Sequence, residues 1–209
     1  FVDREATHAI VSTTSGAECD PTSSIDCLNA TAQGDGEMDR DGRRQFTHSV
    51  EVKGHVKFAF SFTGDVPEFP PYVKIALVLD TQTNGVQLDS EKVFSDPTST
   101  FLDATMFRNL QFTSRFRILK TCVVHPRTVM GGYAGNGTTN EPIASTQLHP
   151  FSMYYKFKKP LISTYTSTTA VIANIADNSL HIIAIASDDT VDVATTTLIY
   201  KSRVRFTSG

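Results

Sequence analysis

The chain of 209 residues has no tryptophan and only three cysteines, Cys19, Cys27 and Cys122. No apolar run approaches the roughly 18 residues of a membrane span, and none resembles a signal peptide. The six histidines, His8, His48, His55, His125, His149 and His181, show no His-x-His or His-Glu-x-x-His spacing. Each absence removes a class. An odd, sparse cysteine set is not the framework of a small secreted disulfide scaffold. Cys19 and Cys27 share one polar loop, where a bridge and two reduced thiols both stay open. A cupin-type centre needs clustered histidines and a carboxylate, so scattered histidines argue against it. His55 and His181 each interrupt a strand pattern and read as structural.

Catalytic loops are missing too. There is no Gly-x-Ser-x-Gly elbow and no Gly-x-x-x-x-Gly-Lys phosphate loop. The stretch Gly131-Gly132-Tyr133-Ala134-Gly135-Asn136-Gly137 is glycine-rich, but no helix follows whose N-terminus could receive a phosphate. It reads as a surface loop, and the residues point away from an enzyme. The formal net charge of −3 excludes a binder that is polybasic over its whole surface.

What is present is alternation. Val50, Val52, Val56, Phe58, Phe60 and Phe62 stand against Glu51, Lys53, His55, Lys57, Ala59 and Ser61, the pattern of a half-buried antiparallel strand. Phe151, Met153, Tyr155 and Phe157 alternate with Ser152, Tyr154, Lys156 and Lys158 in the same way. Leu198, Tyr200, Val204 and Phe206 alternate with Ile199, Lys201, Arg203 and Arg205. Val73–Leu79 and Leu180–Ala186 are almost continuously apolar, as in strands covered on both faces. Weaker strand patterns lie at His8–Thr13, Arg115–Val124, Ile162–Thr169 and Ala170–Ile175. Ser99–Leu110 carries Leu102, Met106 and Leu110 at helical spacing and predicts a short helix within a connection. With no repeat, linker or composition break, residues 1–209 read as one all-β domain. The wide strand spacing points to a sandwich with long corner connections.

Charge is clustered. Asp35, Glu37, Asp39 and Asp41 form one acidic group, and Asp188, Asp189 and Asp192 another. The second is a weak candidate for a structural calcium shared between subunits, weighed against solvated loop carboxylates. No other cofactor is implied. Residues two apart on a strand project together, so Lys53 with Lys57, Lys156 with Lys158, Arg115 with Arg117, and Lys201 with Arg203 and Arg205 make short basic stripes. Such stripes suit phosphates, an acidic patch on a sister subunit, or the protection of an edge strand. The sequons at Asn29 and Asn136 carry little weight without a secretory context.

Four blocks, in order, carry a resemblance. Gly34-Asp35-Gly36-Glu37-Met38-Asp39-Arg40-Asp41-Gly42-Arg43-Arg44 leads into the strand at Val50. Val73–Leu79 runs into Asp80-Thr81-Gln82-Thr83-Asn84-Gly85. Arg115-Phe116-Arg117-Ile118-Leu119-Lys120 follows, and Leu198–Phe206 closes the set. Together they resemble the capsid proteins of small circular single-stranded DNA viruses (circovirus-like), and also satellite necrosis virus coat proteins. The resemblance implies an eight-stranded antiparallel jelly roll with little helix. It implies self-assembly into a small T=1-like icosahedral shell of about sixty copies. The partners implied are the chain itself and a single-stranded viral genome, with DNA favoured over RNA. No membrane is implied, and the setting is the virion, assembled inside a host cell. A basic arm is expected upstream of Phe1. Arg43, Arg44, Lys53, Lys57, Lys156, Lys158, Arg203 and Arg205 are the candidates for nucleic-acid or intersubunit contacts. The competing class is a secreted jelly-roll recognition module of lectin or cytokine type, disfavoured by the missing disulfides and tryptophan.

Locally, Asn84-Gly85 is a strong hairpin signal. No alternating partner strand follows it at once, so Asp80–Gly85 is read as the end of a buried strand opening a long corner connection.

Overall fold

Alternation about Val50 builds the long strand β3, Arg44–Ser61, around which the rest is arranged. The structure is a computed structural model and describes residues 1–10, 25–61, 72–95, 106–126, 144–186 and 195–209. The other strands are β1 (Val2–Ile10), β2 (Ile25–Cys27), β4 (Val73–Asp80), β5 (Phe94–Ser95), β6 (Phe107–Arg108), β7 (Phe116–Val124), β8 (Ala144–Tyr165), β9 (Ile175–Asp177), β10 (Ser179–Ala186) and β11 (Thr195–Ser208). Among the described residues the only α-helix is α1, Ser90–Val93.

One sheet has the order β1-β11-β3-β8-β9, a second β2-β10-β4-β7, and β5 pairs only with β6. Every pairing between these strands is antiparallel. Apart from the three-residue β9, each main sheet has four strands. The chain changes sheet from β1 to β2, β2 to β3 and β3 to β4, and again from β7 to β8, β8 to β10 and β10 to β11. That alternation, with β1 beside β11, is a jelly-roll sandwich.

The two sheets face each other through apolar side chains. Val50, Val52, Val56 and Phe58 of β3, Phe151 and Met153 of β8, and Leu198, Tyr200 and Val204 of β11 pack against Val73, Ile75, Leu77 and Leu79 of β4 and Leu180, Ile182 and Ala184 of β10. The apolar alternation in β3 skips position 54 because the neighbouring strand comes too close. A Cβ on Gly54 would stand 2.2 Å from the Ile199 carbonyl oxygen and 2.8 Å from Tyr200 Cα.

A second apolar layer explains the unbroken hydrophobic runs. Ala76 and Val78 of β4, Ile183 and Ile185 of β10, and Phe116 of β7 point away from the first core. They are covered by Leu88, Val93, Phe94 and Met106 from the β4–β7 connection. Lys74 ties that cover down: its Nζ donates to the Met106 carbonyl at 2.8 Å and sits 4.9 Å from the Phe94 ring centroid. β4 and β10 are therefore buried on both faces.

The start of the connection is locked by a polar cluster. Asp80 is fully buried, and Arg115 meets it in a fork, Nε and Nη2 each donating to a carboxylate oxygen at 2.9 Å. The same Oδ1 accepts the Gln82 amide at 2.9 Å. Thr83 Oγ1 donates to Ser179 Oγ at 2.6 Å and accepts the Ser179 amide at 3.1 Å. Ser179 Oγ in turn meets His181 Nε2 at 2.7 Å. Asn84 and Gly85 follow with φ of 50° and 71°, and the Val86 amide donates to the Thr83 carbonyl at 3.0 Å. Two successive positive φ values closed by that bond make the type I′ turn that Asn-Gly favours. The turn joins no ladder, because α1 and the cover follow it. Its amides instead donate to the Ala176 and Ile175 carbonyls, and a Cβ on Gly85 would stand 2.7 Å from the Ala173 carbonyl oxygen.

Several expectations are corrected. The strand patterns at Ile162–Thr169 and Ala170–Ile175 are not two strands. β8 continues to Tyr165, and a 3-10 turn at Ile172–Asn174 precedes the short β9. The helical spacing at Ser99–Leu110 fails where it can be followed. Phe107–Arg108 is strand, Met106 is buried as part of the cover, and Leu110 is 79% exposed. The earlier part of that segment, Val11–Thr13 of the first strand pattern, and Phe62 lie outside the described residues.

Two outcomes test this arrangement. Removing Arg115 leaves a buried carboxylate without its partner, so Arg115→Met costs about 3 kcal/mol, whereas exposed Arg117→Met stays within about 0.5 kcal/mol. Urea unfolding midpoints at constant slope measure both. His181 is fully enclosed, and burial pushes its imidazole down to about 4 from an ordinary 6.5. The unfolded chain then binds a proton that the folded chain refuses between these values. The contribution of His181 is full above about pH 6.5 and is lost, on the order of 3 kcal/mol, as pH drops toward 4. His181→Gln removes that component from the pH profile of the urea midpoint.

Candidate nucleic-acid interface

The β4–β7 connection covers the outer face of one sheet, so the two sheets differ in what they leave open. On β3, β8 and β11 the core takes alternate residues, and the intervening ones point outward. Register then sets those outward residues in rows across the sheet. Lys201, Lys53 and Ser152 are aligned in one row, and Arg203, Glu51 and Tyr154 in the next. Arg205, Ser49 and Lys156 form a third, and Thr197, Lys57 and Leu148 another. Directly opposed side chains lie about 5 Å apart at Cβ, so stripes predicted strand by strand merge into one basic field.

Among the described side chains of that field Glu51 is the one carboxylate. Lys53 Nζ reaches its Oε1 at 2.5 Å, and Lys53, Arg205 and Arg203 together hold its carboxyl below the usual range. On β1, whose side chains after Val2 are not described, Asp3 and Glu5 occupy register positions beside Arg203 and Lys201. Charge is thus mixed toward the β1 edge and basic over β3 and β8.

The other candidates separate from this group. Lys158 is exposed in a bulge, where β8 runs from Lys156 to Leu161 while β3 advances only from Ser49 to Thr47. Arg43 and Arg44 are exposed at the start of β3, with Arg44 five residues from Ser49, or about 16 Å along a strand. Arg44 exchanges backbone bonds with Gly209. Of the pair Arg115 and Arg117, the first is consumed by Asp80. Asp188, Asp189 and Asp192 lie outside the described residues, as do Cys19 and Asn136. In the first acidic group Asp39 Oδ2 accepts the Gly36 amide at 3.2 Å. No group of three or more His, Cys, Asp or Glu is arranged for a metal among the described residues. Asn29 is fully buried, donating to Ser163 Oγ at 3.0 Å and accepting the Leu180 amide at 2.8 Å, so its sequon is sealed in the folded chain.

Three residues escaped the sequence reading. Arg40, inside the block that resembles the capsid stretch, is fully buried, not a surface cation. Its Nε donates to the Thr31 carbonyl at 3.2 Å, its other nitrogens to the Gly42 and Ser167 carbonyls, and its guanidinium lies 4.1 Å from the Tyr165 ring centroid. Spacing alone could not separate it from Arg43. Lys120 comes from β7 of the opposite sheet, and its Nζ donates to the Tyr154 carbonyl at 3.4 Å, adding a cation at the β8 edge. Tyr154 is 46% exposed amid the field. Its outward parity was legible, but its basic neighbours on β3 emerge only once the register is known.

The field can hold a chain of phosphates by charge, without reading bases. Replacing Lys53, Lys57, Lys156, Lys201, Arg203 and Arg205 by Gln lowers affinity for a labelled oligothymidylate. The slope of log affinity against log salt shrinks by about 0.7 for each phosphate that the variant no longer neutralises, read by fluorescence anisotropy. No family model matches the chain, and no curated protein matches it.

Proposed function

We propose that the protein is the structural subunit of a small icosahedral viral shell, and that its open basic sheet face turns inward to a single-stranded genome. The jelly roll supports this reading, as does the order of the sequence blocks resembling circovirus-like capsid proteins. The observation that carries it is the asymmetry between the two sheets. One outer face is closed by the chain's own connection, and on the other Lys53, Lys156, Lys201, Arg203 and Arg205 are exposed. A soluble sandwich has no need to gather its cations on one sheet face; a container for a polyanion does. Arg43, Arg44 and Lys158 then serve contacts at the margins of that face or between subunits. The subunit needs no active site, since assembly into about sixty closed-symmetry copies rests on interfaces alone.

Electron microscopy and light scattering of the purified full chain, over a range of salt and with added single-stranded DNA, test the reading. Shells of uniform diameter, formed more readily with nucleic acid, are the expected result. A monomer or trimer under every condition overturns it.

A further inference from the structure

We propose that Tyr154 is a base-stacking residue, which makes the basic face a site for unpaired bases and not merely for phosphates. This inference rests on the assignment of that face to nucleic acid. Tyr154 points outward from β8, and 46% of its surface is accessible. Its neighbours are all set by the sheet. Lys156 is two residues along the same strand, Glu51 lies opposite, and Lys53 is the diagonal neighbour through its pairing with Ser152. Diagonal partners in a sheet are about 7–8 Å apart, within reach of a long side chain. Glu51 is held by Lys53 at 2.5 Å, so the carboxylate nearest the ring is already neutralised. Lys120 closes the outer side by donating to the residue's own carbonyl at 3.4 Å.

Single exposed aromatics are common on protein surfaces, and what distinguishes Tyr154 is its setting beside Lys156, Lys120 and the Glu51–Lys53 pair. An acidic protein surface would answer the lysines but has no use for an open π-face at their centre. A single strand supplies both parts, phosphates for Lys156 and Lys120, and a base whose flat face stacks on the ring. A duplex keeps its bases stacked on one another and offers only the phosphates. Stacking tolerates any base, so the site prefers single strands over duplexes with little regard to sequence.

The test compares full-length wild type, Tyr154→Phe, Tyr154→Ala and Lys53→Gln/Lys156→Gln, all checked by circular dichroism melts. Each is titrated with labelled oligothymidylate, and with a duplex of equal length, across a salt series. Stacking releases no counterions. Tyr154→Ala is therefore expected to bind the single strand about tenfold more weakly at every salt concentration with an unchanged salt slope. Tyr154→Phe matches wild type, and duplex affinity does not move. The lysine variant shows the opposite signature, a shallower slope for both ligands. If Tyr154→Ala binds the single strand like wild type, or loses equally on the duplex, the stacking assignment is overturned while the basic face stands. If the lysine variant also leaves affinity and slope unchanged, the basic face itself falls. A Tyr154→Ala protein that binds normally but no longer forms particles marks the ring as an intersubunit contact and likewise overturns the proposal.

Discussion

A carboxylate with no access to water must be held by donors, and Asp80 is held by Arg115. Much of the architecture follows from that fork. Asp80 ends β4 and Arg115 opens β7, so the pair fixes both ends of the long connection between them against the sheet. With its ends fixed, the connection lies over β4 and β10 and buries their second faces. Lys74 and the Thr83–Ser179–His181 chain hold the same cover from below and beside. Buried charge pairs do not always add stability over apolar substitutes, but losing one partner is severe. The fork is better understood as setting the path of the connection than as a large term in net stability.

That path decides where the molecule can meet a partner. Because one sheet is covered on both sides, the outward residues of β3, β8 and β11 form the broad exposed sheet face among the described residues. Antiparallel register brings cations from three separate stretches of sequence onto one sheet face, with Lys201 directly opposite Lys53. The overall charge of −3 conceals this, since acidic residues such as Asp35, Glu37 and Asp41 lie away from that face.

The sequence announced the long strands clearly, since alternation at Val50–Phe58, Phe151–Phe157 and Leu198–Phe206 directly records which side faces the core. The continuous runs at Val73–Leu79 and Leu180–Ala186 likewise recorded burial on two faces, though not what covered the second. Asn84-Gly85 gave the turn chemistry, and the lack of an alternating strand just after it gave the corner connection, because a turn type is a property of two residues and a hairpin is not. The misreadings fall where packing overrides pattern. Met106 and Leu110 share a helical spacing, yet one turns into the apolar layer under the sheet's cover and the other is exposed. β9 has three residues, too few for any period to show. The basic candidates were visible as pairs, but their union on one face depends on strand register, which no single stretch encodes. Arg40 shows the converse, a charged residue in a polar, glycine-rich block that tertiary contacts draw wholly inside.

The position of β11 between β1 and β3 bears on how the protein is made. Until β11 is synthesised, β1 has no partner in this sheet, and β3 presents a row of unsatisfied backbone groups. Closing a loop of nearly the whole chain costs entropy before any contact repays it, so this step is slow and late. The strand that arrives last also carries Lys201, Arg203 and Arg205. A nascent chain therefore has an incomplete basic face until β11 emerges, and the face matures only when the sheet closes.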